Sequence, residues 1–481
     1  MTARESRANA WNRRACWAAT AFLAVVMGCP PAPPASPGAG TGQDSDTLPD
    51  ACTPQETEPN LVEVPDPLSG DNPTYKLMPA AVPAPGESVP DARLGLAQTR
   101  VTETAGLRHE YSRHDPFNAD QTLLVLMYIP AGEWRVYRTQ SLPYDGTGRL
   151  VRTLDMEEPR WDRADPDLIW GLQGFRIVTQ NVQTGETTTV KDFTADPTVG
   201  PLIAAQPDLY RITTKDEGEA STDRRFWVFM IQGANEDYRP RYIVTWDRQT
   251  DQVPGLYTLP AAEANIDWVG MSPKGTWVLI GGDFDNGGNL AGLTLADREL
   301  TTFHRLDYTT AHADVGLDRD GNEVIVMQNT ITDRVDLIPL DPATQPILDA
   351  GTEYAGTNRT PLVRLFYNAE SPLGLNSGVH ISCNVPGYCV ISTNIAPDLP
   401  EQNWLDRSII LVELNRQEPR AFYLAKVYGT TGAYWEETQA SITNDGAKVV
   451  WATNWNQDVG QEKVWVTELD MPAGWSDALG D

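Results

Sequence analysis

Short apolar runs recur along most of the chain, and each follows a turn rich in Asp, Asn, Gly or Pro. The clearest example is the turn Asn444-Asp445-Gly446, which precedes an apolar run at 449–452 and an alternating segment at 463–469. Asp-Gly between apolar runs is a strong signal for a β-hairpin. From about residue 96 onward no segment keeps an apolar period of 3.6 residues, so the pattern predicts an all-β fold with little helix.

The same unit recurs about six more times, at irregular spacings of roughly 45 to 65 residues. Most copies continue into a second hairpin, so that each unit supplies four antiparallel strands. Seven such units predict a seven-bladed β-propeller over residues 96–481. The turns that begin the units lie at residues 119–122, 165–167, 222–224, 272–275, 320–322, 385–387 and 444–446.

The last unit ends after its third strand, at Leu469, whereas residues 96–104 alternate in polarity and have no strand partner of their own. An open array of blades would leave two exposed sheet edges. We therefore expect residues 96–104 to supply the outer strand of the last blade and to close the ring.

The N-terminal residues 1–28 have the form of an export signal. Four arginines precede a short apolar segment that ends at Val26-Met27-Gly28-Cys29 and is too short to span a bilayer as a mature helix. This ending resembles the lipobox of bacterial lipoproteins, which implies cleavage before Cys29, a lipid on that cysteine and a location in the cell envelope. Pro30 favours the outer membrane by the same resemblance, and an ordinary secretory signal is the alternative.

Residues 29–95 are rich in Pro, Gly, Ser, Asp and Glu and poor in large apolar residues. Such a composition buries too little surface to offset the entropy lost on ordering. We therefore expect a disordered tether between the lipid and a propeller that is monomeric.

The turns Ser-Pro-Lys-Gly at 272–275 and Asn-Asp-Gly at 444–446, each leading into an apolar strand, resemble those of WD-repeat-like and TolB-like propellers. A more distant resemblance extends to oligogalacturonate lyase, a polysaccharide lyase on a seven-bladed propeller. That family has a histidine-rich metal cluster in its closing blades. The matching stretch here, residues 436–439, contains no histidine, so the resemblance does not extend to that metal site.

Charge and cysteine spacing narrow the possible functions. The formal net charge is −29, which argues against nucleic acid as a partner and against electrostatic docking on anionic lipid. Cys383 and Cys389 flank a turn and are predicted to form a disulfide in an oxidising compartment. No Cys-x-x-Cys pair or zinc spacing is present, and no cofactor is expected. Acidic residues at 283–286 and 318–322 leave calcium open, although neither segment has EF-hand spacing.

Candidate functional residues lie just before the inner strands, where a propeller opens its channel. Of the five histidines only His304 lies elsewhere. Histidine transfers protons or binds ligands near neutral pH, arginine pairs with carboxylates, and tyrosine serves as an acid or a base. The residues assigned to catalysis or ligand binding are Tyr111, Arg113, His312 and His380, and those assigned to binding are His114, Arg160, Asp267, Asp314, Glu436, Glu437 and Gln439.

Two functions fit this pattern. In the first, the propeller binds a glycan ligand or an envelope protein at one mouth of the channel. In the second, a lyase cleaves a uronate-containing glycan by β-elimination, with Arg113 neutralising the carboxylate and His312, His380 or Tyr111 transferring the proton. Polar residues at these positions also commonly hold neighbouring blades together, so a structural role is the alternative for each of them.

Overall fold

The computed structural model describes residues 61–234, 238–260, 266–282, 290–309, 312–329, 332–345, 358–366, 379–393, 403–429, 434–457 and 463–480. The predicted signal segment, Cys29 and the predicted tether up to residue 60 lie outside these residues. The chain from Leu61 to Asp481 forms one compact unit.

The described strands form seven antiparallel sheets, which are the seven predicted blades. Three strands precede the first blade: β1 (Val62–Val64), β2 (Ser88–Asp91) and β3 (Leu96–Arg100). The first blade contains β4 (Leu107–Arg108), β5 (Leu123–Tyr128), β6 (Glu133–Arg138) and β7 (Leu150–Leu154); the second contains β8 (Glu157–Trp161), β9 (Leu168–Gln173), β10 (Arg176–Asn181) and β11 (Thr187–Asp192); the third contains β12 (Leu209–Thr213), β13 (Phe226–Gly233), β14 (Pro240–Asp247) and β15 (Leu256–Thr258); and the fourth contains β16 (Ile266–Met271), β17 (Val278–Gly282), β18 (Gly292–Ala296) and β19 (Phe303–Asp307).

The remaining blades repeat this order. The fifth blade contains β20 (Ala313–Leu317), β21 (Glu323–Asn329), β22 (Arg334–Pro339) and β23 (Thr360–Arg364); the sixth contains β24 (Val379–Val385), β25 (Tyr388–Thr393), β26 (Ser408–Glu413) and β27 (Ala421–Lys426); and the seventh contains β28 (Ser441–Ile442), β29 (Lys448–Thr453) and β30 (Trp465–Asp470). Among the residues that the structure describes, helix is confined to short segments, namely α1 (Gly200–Ala205), α2 (Trp475–Gly480) and single 3-10 turns at Ile129–Ala131, Phe193–Ala195, Pro342–Thr344 and Tyr434–Glu436. Among the described residues, no helix has the length and apolarity needed to cross a membrane.

The second strand of each blade is apolar on both faces because each blade packs between two others. In β21, Val324 and Val326 pack in a core that includes Ile381 of the sixth blade. The alternate residues Ile325 and Met327 pack in a different core with residues of the fourth blade. Burial on both faces gives a continuous apolar run instead of an alternating one.

The turn between the first two strands of the fourth blade, at 272–275, requires both its serine and its glycine. The Ser272 hydroxyl accepts the N–H of Trp277 at 2.9 Å, and the Ser272 carbonyl accepts the N–H of Gly275 at 2.8 Å. Gly275 has a φ of +70°, and a Cβ at this position would lie 2.3 Å from the ring of Phe226. Only glycine combines this backbone conformation with this close approach.

The ring closes as the sequence predicts. Strand β3 pairs antiparallel with β30, with Thr99 opposite Glu468 and Arg100 opposite Thr467. The N–H of Val101 donates to the carbonyl of Val466 at 2.9 Å. The seventh blade therefore takes its outer strand from the other end of the propeller sequence, and this prediction is confirmed.

Residues 61–95, which we call the strap, correct the prediction of disorder. Strand β1 pairs with β27 as a fifth strand of the sixth blade, and β2 pairs with β3 as a fifth strand of the seventh. The Trp404 indole donates to the carbonyl of Ser69 at 2.9 Å, and the Tyr423 hydroxyl donates to that of Pro73 at 2.8 Å. The predicted boundary at residue 96 is therefore too late.

The strap orders without a core of its own because it uses hydrophobic surface that the blades already present. Val64 and Leu94 are 1% and 2% exposed, and both belong to the core around the sixth blade. Average composition predicts disorder here because it does not register two or three apolar residues that fit a preformed edge.

A disulfide joins Cys383 and Cys389 across the β24–β25 hairpin, which confirms the predicted pairing. Cys383 is 5% exposed and Cys389 is fully buried. The bridge therefore belongs to the interior of the sixth blade.

Candidate functional site

The inner strand of the first blade is interrupted between Arg108 and Phe117. Arg108 pairs with Met127, and Phe117 forms a bridge with Leu124. Residues 109–116 thus stand opposite only Val125 and Leu126 and cannot remain in the sheet. We call residues 109–116 the channel segment.

The channel segment is buried although it is almost entirely polar. His109 is fully buried, and Tyr111, Arg113 and His114 are 3%, 5% and 4% exposed. Buried polar groups require partners, so the contacts of this segment define what the channel contains.

A second loop meets the channel segment from the third blade. It follows β12, and Lys215 and Asp216 within it have φ values of +59° and +65°. The Arg113 guanidinium donates to the carbonyl of Glu217 at 3.0 Å, and Nε2 of His114 lies 2.9 Å from the carbonyl oxygen of Asp216. The two segments therefore contact each other, which joins the first blade to the third.

Arg160 of the second blade contacts the channel segment through its charged guanidinium group. Nε2 of His114 lies 2.8 Å from Nη2 of Arg160, and Arg160 also donates to the Glu110 carboxylate. Burial, followed by the charge of Arg160, lowers the pKa of His114 to about 4, whereas burial raises the pKa of Glu110 to about 8 in spite of Arg160. His114 is therefore neutral at pH 7 and serves as a hydrogen-bonding group in this network.

At one mouth of the channel, two predicted histidines lie face to face. His312 directly precedes β20 and His380 is the second residue of β24, so neighbouring inner strands bring them to the same end of the ring. Their rings stack with centroids 4.3 Å apart and an interplanar angle of 22°. The ring of Tyr111 meets His380 edge-on at 5.6 Å and His312 at 6.4 Å.

A carboxylate from the seventh blade completes this group. Oε2 of Glu437 lies 3.2 Å from Nε2 of His380. His380 is fully buried, while the Glu437 side chain is 22% exposed, so the carboxylate connects the buried imidazole with the solvent. Tyr434 lies beside it with 48% exposure, and the charges of Glu437 and Glu217 act on its phenol. We call Tyr111, His312, His380, Tyr434 and Glu437 the mouth cluster.

The protonation states of the mouth cluster follow from burial and from mutual charge. Burial and the neighbouring His380 lower the pKa of His312. Burial opposes ionisation of Glu437, but the contact with His380 and the neighbouring positive charges, which include Arg108, outweigh it and lower the Glu437 pKa. At neutral pH the mouth therefore presents a neutral His312 imidazole beside an ionised carboxylate.

His380 retains unused hydrogen-bonding capacity. Its Nδ1 has no hydrogen-bond partner among the residues that the structure describes, and its contact with Glu437 lacks hydrogen-bond geometry. An unsatisfied polar atom in a fully buried ring costs about 1–3 kcal/mol. A ligand or a water that satisfied this nitrogen would recover that cost.

Arg113 belongs to the floor of the mouth and not to its open surface. Its guanidinium lies 4.1 Å from the ring centroid of Trp268, and its Nη2 lies 3.3 Å from the Glu217 carboxylate. With 5% exposure its charge is compensated within the protein. Asp267, next to Trp268, is half-buried, and its charge contributes to the raised pKa of Tyr111.

Other predicted site residues make contacts within the fold. The Asp314 carboxylate accepts the N–H of Cys383 at 2.6 Å and that of Val315 at 2.8 Å, which joins the inner strands of the fifth and sixth blades. The Gln439 carbonyl contacts the buried His109 ring, and the Gln439 side chain accepts from Arg108. Glu436 is 6% exposed and belongs to the 3-10 turn that carries Tyr434.

Sequence reasoning missed Glu217, Trp268 and Tyr434. Glu217 lies in the run Lys215-Asp216-Glu217-Gly218-Glu219, and this charge cluster before a unit turn was the available signal. Tyr434 lies two and three positions before Glu436 and Glu437, which the sequence pattern indicated instead. Nothing in the sequence shows that Arg113 from the first blade reaches Trp268 in the fourth.

Within the described residues, no group of three or more His, Cys, Asp or Glu side chains is arranged to hold a metal ion. Asp318, one of the calcium candidates, accepts the N–H groups of Asp320 at 3.0 Å and Asn322 at 2.8 Å within its own turn. The other candidate segment, 283–286, lies outside the described residues.

No protein-family model matches the chain, and no curated protein matches its sequence. Solved structures do match its fold. An oligogalacturonate lyase from Vibrio parahaemolyticus is 12% identical with a TM-score of 0.50, and the match covers 82% of this chain and 98% of that one. An oligogalacturonate lyase in complex with manganese is 13% identical with a TM-score of 0.51, covering 82% and 100%. The β-propeller domain of Cps50 (Swd1) from Myceliophteria thermophila is 11% identical with a TM-score of 0.38, covering 78% and 100%. The chain is thus a seven-bladed β-propeller with distant structural similarity to oligogalacturonate lyase.

Proposed function

We propose that this protein is an exported, lipid-anchored binding protein whose mouth cluster binds a polar ligand, namely a glycan of the cell envelope. The observation that carries this proposal is the stacked pair His312–His380, which Tyr111 and Glu437 contact at one end of the channel. Imidazoles and phenols both donate and accept hydrogen bonds and a carboxylate accepts them, which suits sugar hydroxyl groups. Tyr434, which is 48% exposed as a residue, adds an aromatic side chain beside Glu437.

The alternative, cleavage of a uronate-containing glycan by β-elimination, finds less support in this geometry. That mechanism assigned Arg113 to the substrate carboxylate, but Arg113 already pairs with Glu217 and lies over Trp268. A guanidinium committed to these partners supplies little charge to a second carboxylate. At 12–13% identity, the similarity to the lyases concerns the fold alone.

Replacement of the mouth histidines tests the proposal. In calorimetric titrations with a panel of neutral, amino and uronate oligosaccharides, we expect at least one neutral or amino sugar to bind the native protein. His312→Gln and Glu437→Gln should weaken that binding by about tenfold or more, because each removes hydrogen bonds worth about 1.5 kcal/mol. His304→Gln is the matched control, since His304 lies on β19 in the outer strand of the fourth blade.

Melting temperatures of all three variants separate binding from folding. A large loss of stability without loss of affinity would assign the histidines a structural role and contradict the proposal.

Incubation with oligogalacturonate followed by measurement of ultraviolet absorbance tests the lyase alternative, because β-elimination leaves an unsaturated sugar end. Absorbance that rises with time and disappears in His312→Gln would establish that alternative.

The lipid anchor, which forms the other half of the proposal, rests on the sequence Val26-Met27-Gly28-Cys29. Cys29→Ser should move the protein from the membrane fraction to the soluble fraction of the cell envelope, because a protein with no acyl chain and a net charge of −29 has little affinity for anionic lipid. Fractionation with immunodetection measures this change. Cys52→Ser is the control and should stay in the membrane fraction, and an unchanged location of the Cys29→Ser protein would contradict a lipid at this position.

A further inference from the structure

The contacts of His312 determine whether its ring donates or accepts hydrogen bonds at the mouth. Its Nδ1 contacts the carbonyl oxygen of Val379. A carbonyl oxygen only accepts, so Nδ1 carries the hydrogen and donates it. Burial, followed by the neighbouring charge of His380, lowers the pKa of His312 to about 4, so the ring is neutral at pH 7 and above. Nε2 of His312 therefore carries a lone pair and can only accept.

The Glu437 carboxylate is a second group that only accepts. In spite of burial, the contact with His380 and the neighbouring positive charges lower its pKa, so it is ionised at neutral pH and has no hydrogen to donate. Its Oε2 lies 3.2 Å from Nε2 of His380, and its side chain is 22% exposed. A carboxylate offers about four lone-pair sites, so this contact leaves acceptor capacity for a ligand.

His380 holds the two acceptors next to each other. Its ring stacks on that of His312 with centroids 4.3 Å apart, while its Nε2 meets the Glu437 carboxylate. His312 is half-buried, so neither acceptor residue is closed off from the solvent. The hydroxyl of Tyr434 stays protonated, because burial, followed by the charge of Glu217, raises its pKa. His312 and Glu437 thus offer acceptors only, and the Tyr434 hydroxyl is able to donate as well.

The cations near the mouth have partners within the protein. Arg113 is 5% exposed, pairs with the Glu217 carboxylate at 3.3 Å and keeps its Nε and Nη2 atoms buried. Arg108 is fully buried and donates to two backbone carbonyl oxygens at 3.0 Å. Lys215 donates to a backbone carbonyl oxygen at the start of β16. A ligand carboxylate in the mouth would therefore meet the charge of Glu437 without an accessible guanidinium group to pair with.

From these contacts we propose that the mouth cluster recognises sugar hydroxyl groups as hydrogen-bond donors and discriminates against sugars that carry a carboxylate. The inference rests on the proposed binding function and specifies which glycans the site takes. One hydroxyl donates to Nε2 of His312 and another donates to the Glu437 carboxylate. A carboxylate in the same position brings acceptors only and places a second negative charge beside Glu437, and juxtaposed like charges are strongly unfavourable.

Matched trisaccharides that differ only in the carboxyl group test this inference. Trigalacturonate, triglucuronate and trimannuronate are each compared with the carboxyl-reduced form, which keeps the rings and linkages and replaces each carboxylate by a hydroxymethyl group. Titration of the intact protein by calorimetry at pH 8 and low salt should show at least tenfold tighter binding of the reduced form wherever a pair binds. At this pH His312 is neutral and the uronates are ionised.

Methylation of the hydroxyl groups separates donors from acceptors. The oligosaccharide that binds most tightly, whether from these pairs or from the wider panel of neutral, amino and uronate sugars, is compared with its fully O-methylated form. Methylation keeps the sugar oxygens as acceptors and removes the hydroxyl hydrogens, so we expect the affinity to fall at least tenfold.

A variant locates the selectivity. Glu437→Gln keeps the size of the side chain, removes its charge and adds amide donors, so it should reduce the ratio of the affinities for the reduced and the uronate forms several-fold. Glu186→Gln is the control, because Glu186 is exposed between β10 and β11, and it should leave the ratio unchanged. If Glu437→Gln fails to fold, the ratio in the native protein and the effect of methylation still decide.

The outcomes separate the two proposals. A uronate that binds as tightly as its reduced form, or a methylated sugar that binds as tightly as its parent, would overturn the inference and leave glycan binding in place. A preference for the reduced form that stays undiminished in Glu437→Gln would overturn the assignment to this mouth. Failure of all six trisaccharides and of every sugar in the wider panel to bind would overturn the proposed function together with the inference.

Discussion

A chain that begins at residue 106 should fail to form a stable propeller, whereas one that begins at Leu61 should melt like the full-length protein. The shorter chain lacks β3, so β30 loses the strand that pairs with it at Thr99 and Arg100. It also lacks four buried apolar side chains: Leu61, Val64, Leu94 and Val101. At about 2 kcal/mol each these contribute roughly 8 kcal/mol, which is comparable to the entire stability of many domains.

Thermal unfolding followed by circular dichroism measures the difference. A third chain that begins at Gly86 keeps β2 and β3 but lacks the first part of the strap, and its melting temperature should lie between those of the other two. Equal melting temperatures for the chains that begin at Leu61 and at residue 106 would contradict closure by β3.

The closing strand could be predicted from sequence because two independent features agree. The last unit lacks its fourth strand, and residues 96–104 alternate in polarity without a partner of their own. The strap offered no such agreement. Val62–Val64 is three residues long, and its pairing with Ala421–Tyr423 depends on an edge that exists only after the sixth blade has folded. Local sequence carries little information about a contact of this kind.

The candidate site was predictable in position but not in detail. A location ahead of the first turn of a blade predicted His312, His380 and Glu437 at the same end of the ring, and the structure brings them together. The destination of Arg113 could not be predicted, because it depends on how far the channel segment departs from its blade. The only sequence signal was that the polar run His109-Glu110-Tyr111-Ser112-Arg113 occupies an inner-strand position where an apolar strand is expected.

Asp314 illustrates the same limit. Its position before the turn of the fifth blade made it a candidate for ligand binding, whereas its carboxylate accepts the N–H groups of Val315 and Cys383 inside the ring. A sequence pattern places a side chain near the channel, but it does not distinguish a residue that faces the opening from one that links two blades.

Asp314→Asn should make the free energy of unfolding of the protein less sensitive to rising pH. Burial raises the pKa of Asp314 to about 7, in spite of the nearby charge of Arg113 and of the two N–H donors. In the unfolded chain the pKa of an aspartate is about 3.9. The folded state therefore binds this proton more tightly, and the contribution of Asp314 to stability falls as the pH rises from about 4 to about 7 and stays low above that.

Asparagine does not titrate, so the stability of the variant does not fall with pH through this residue. Between about pH 5 and about pH 8, the free energy of unfolding of the native protein should fall by roughly 2.5 kcal/mol more than that of Asp314→Asn. Urea denaturation at the two pH values measures this difference, and the constant cost of one lost hydrogen bond cancels between them.

Asp120→Asn is a suitable control, because Asp120 also accepts a backbone N–H, at 3.1 Å from Thr122, but is exposed and has a lowered pKa. If Asp314→Asn and the native protein lost equal stability over this range, the Asp314 carboxylate would have an ordinary pKa in spite of its burial, and its charge would be fully compensated by Arg113 and the two N–H donors.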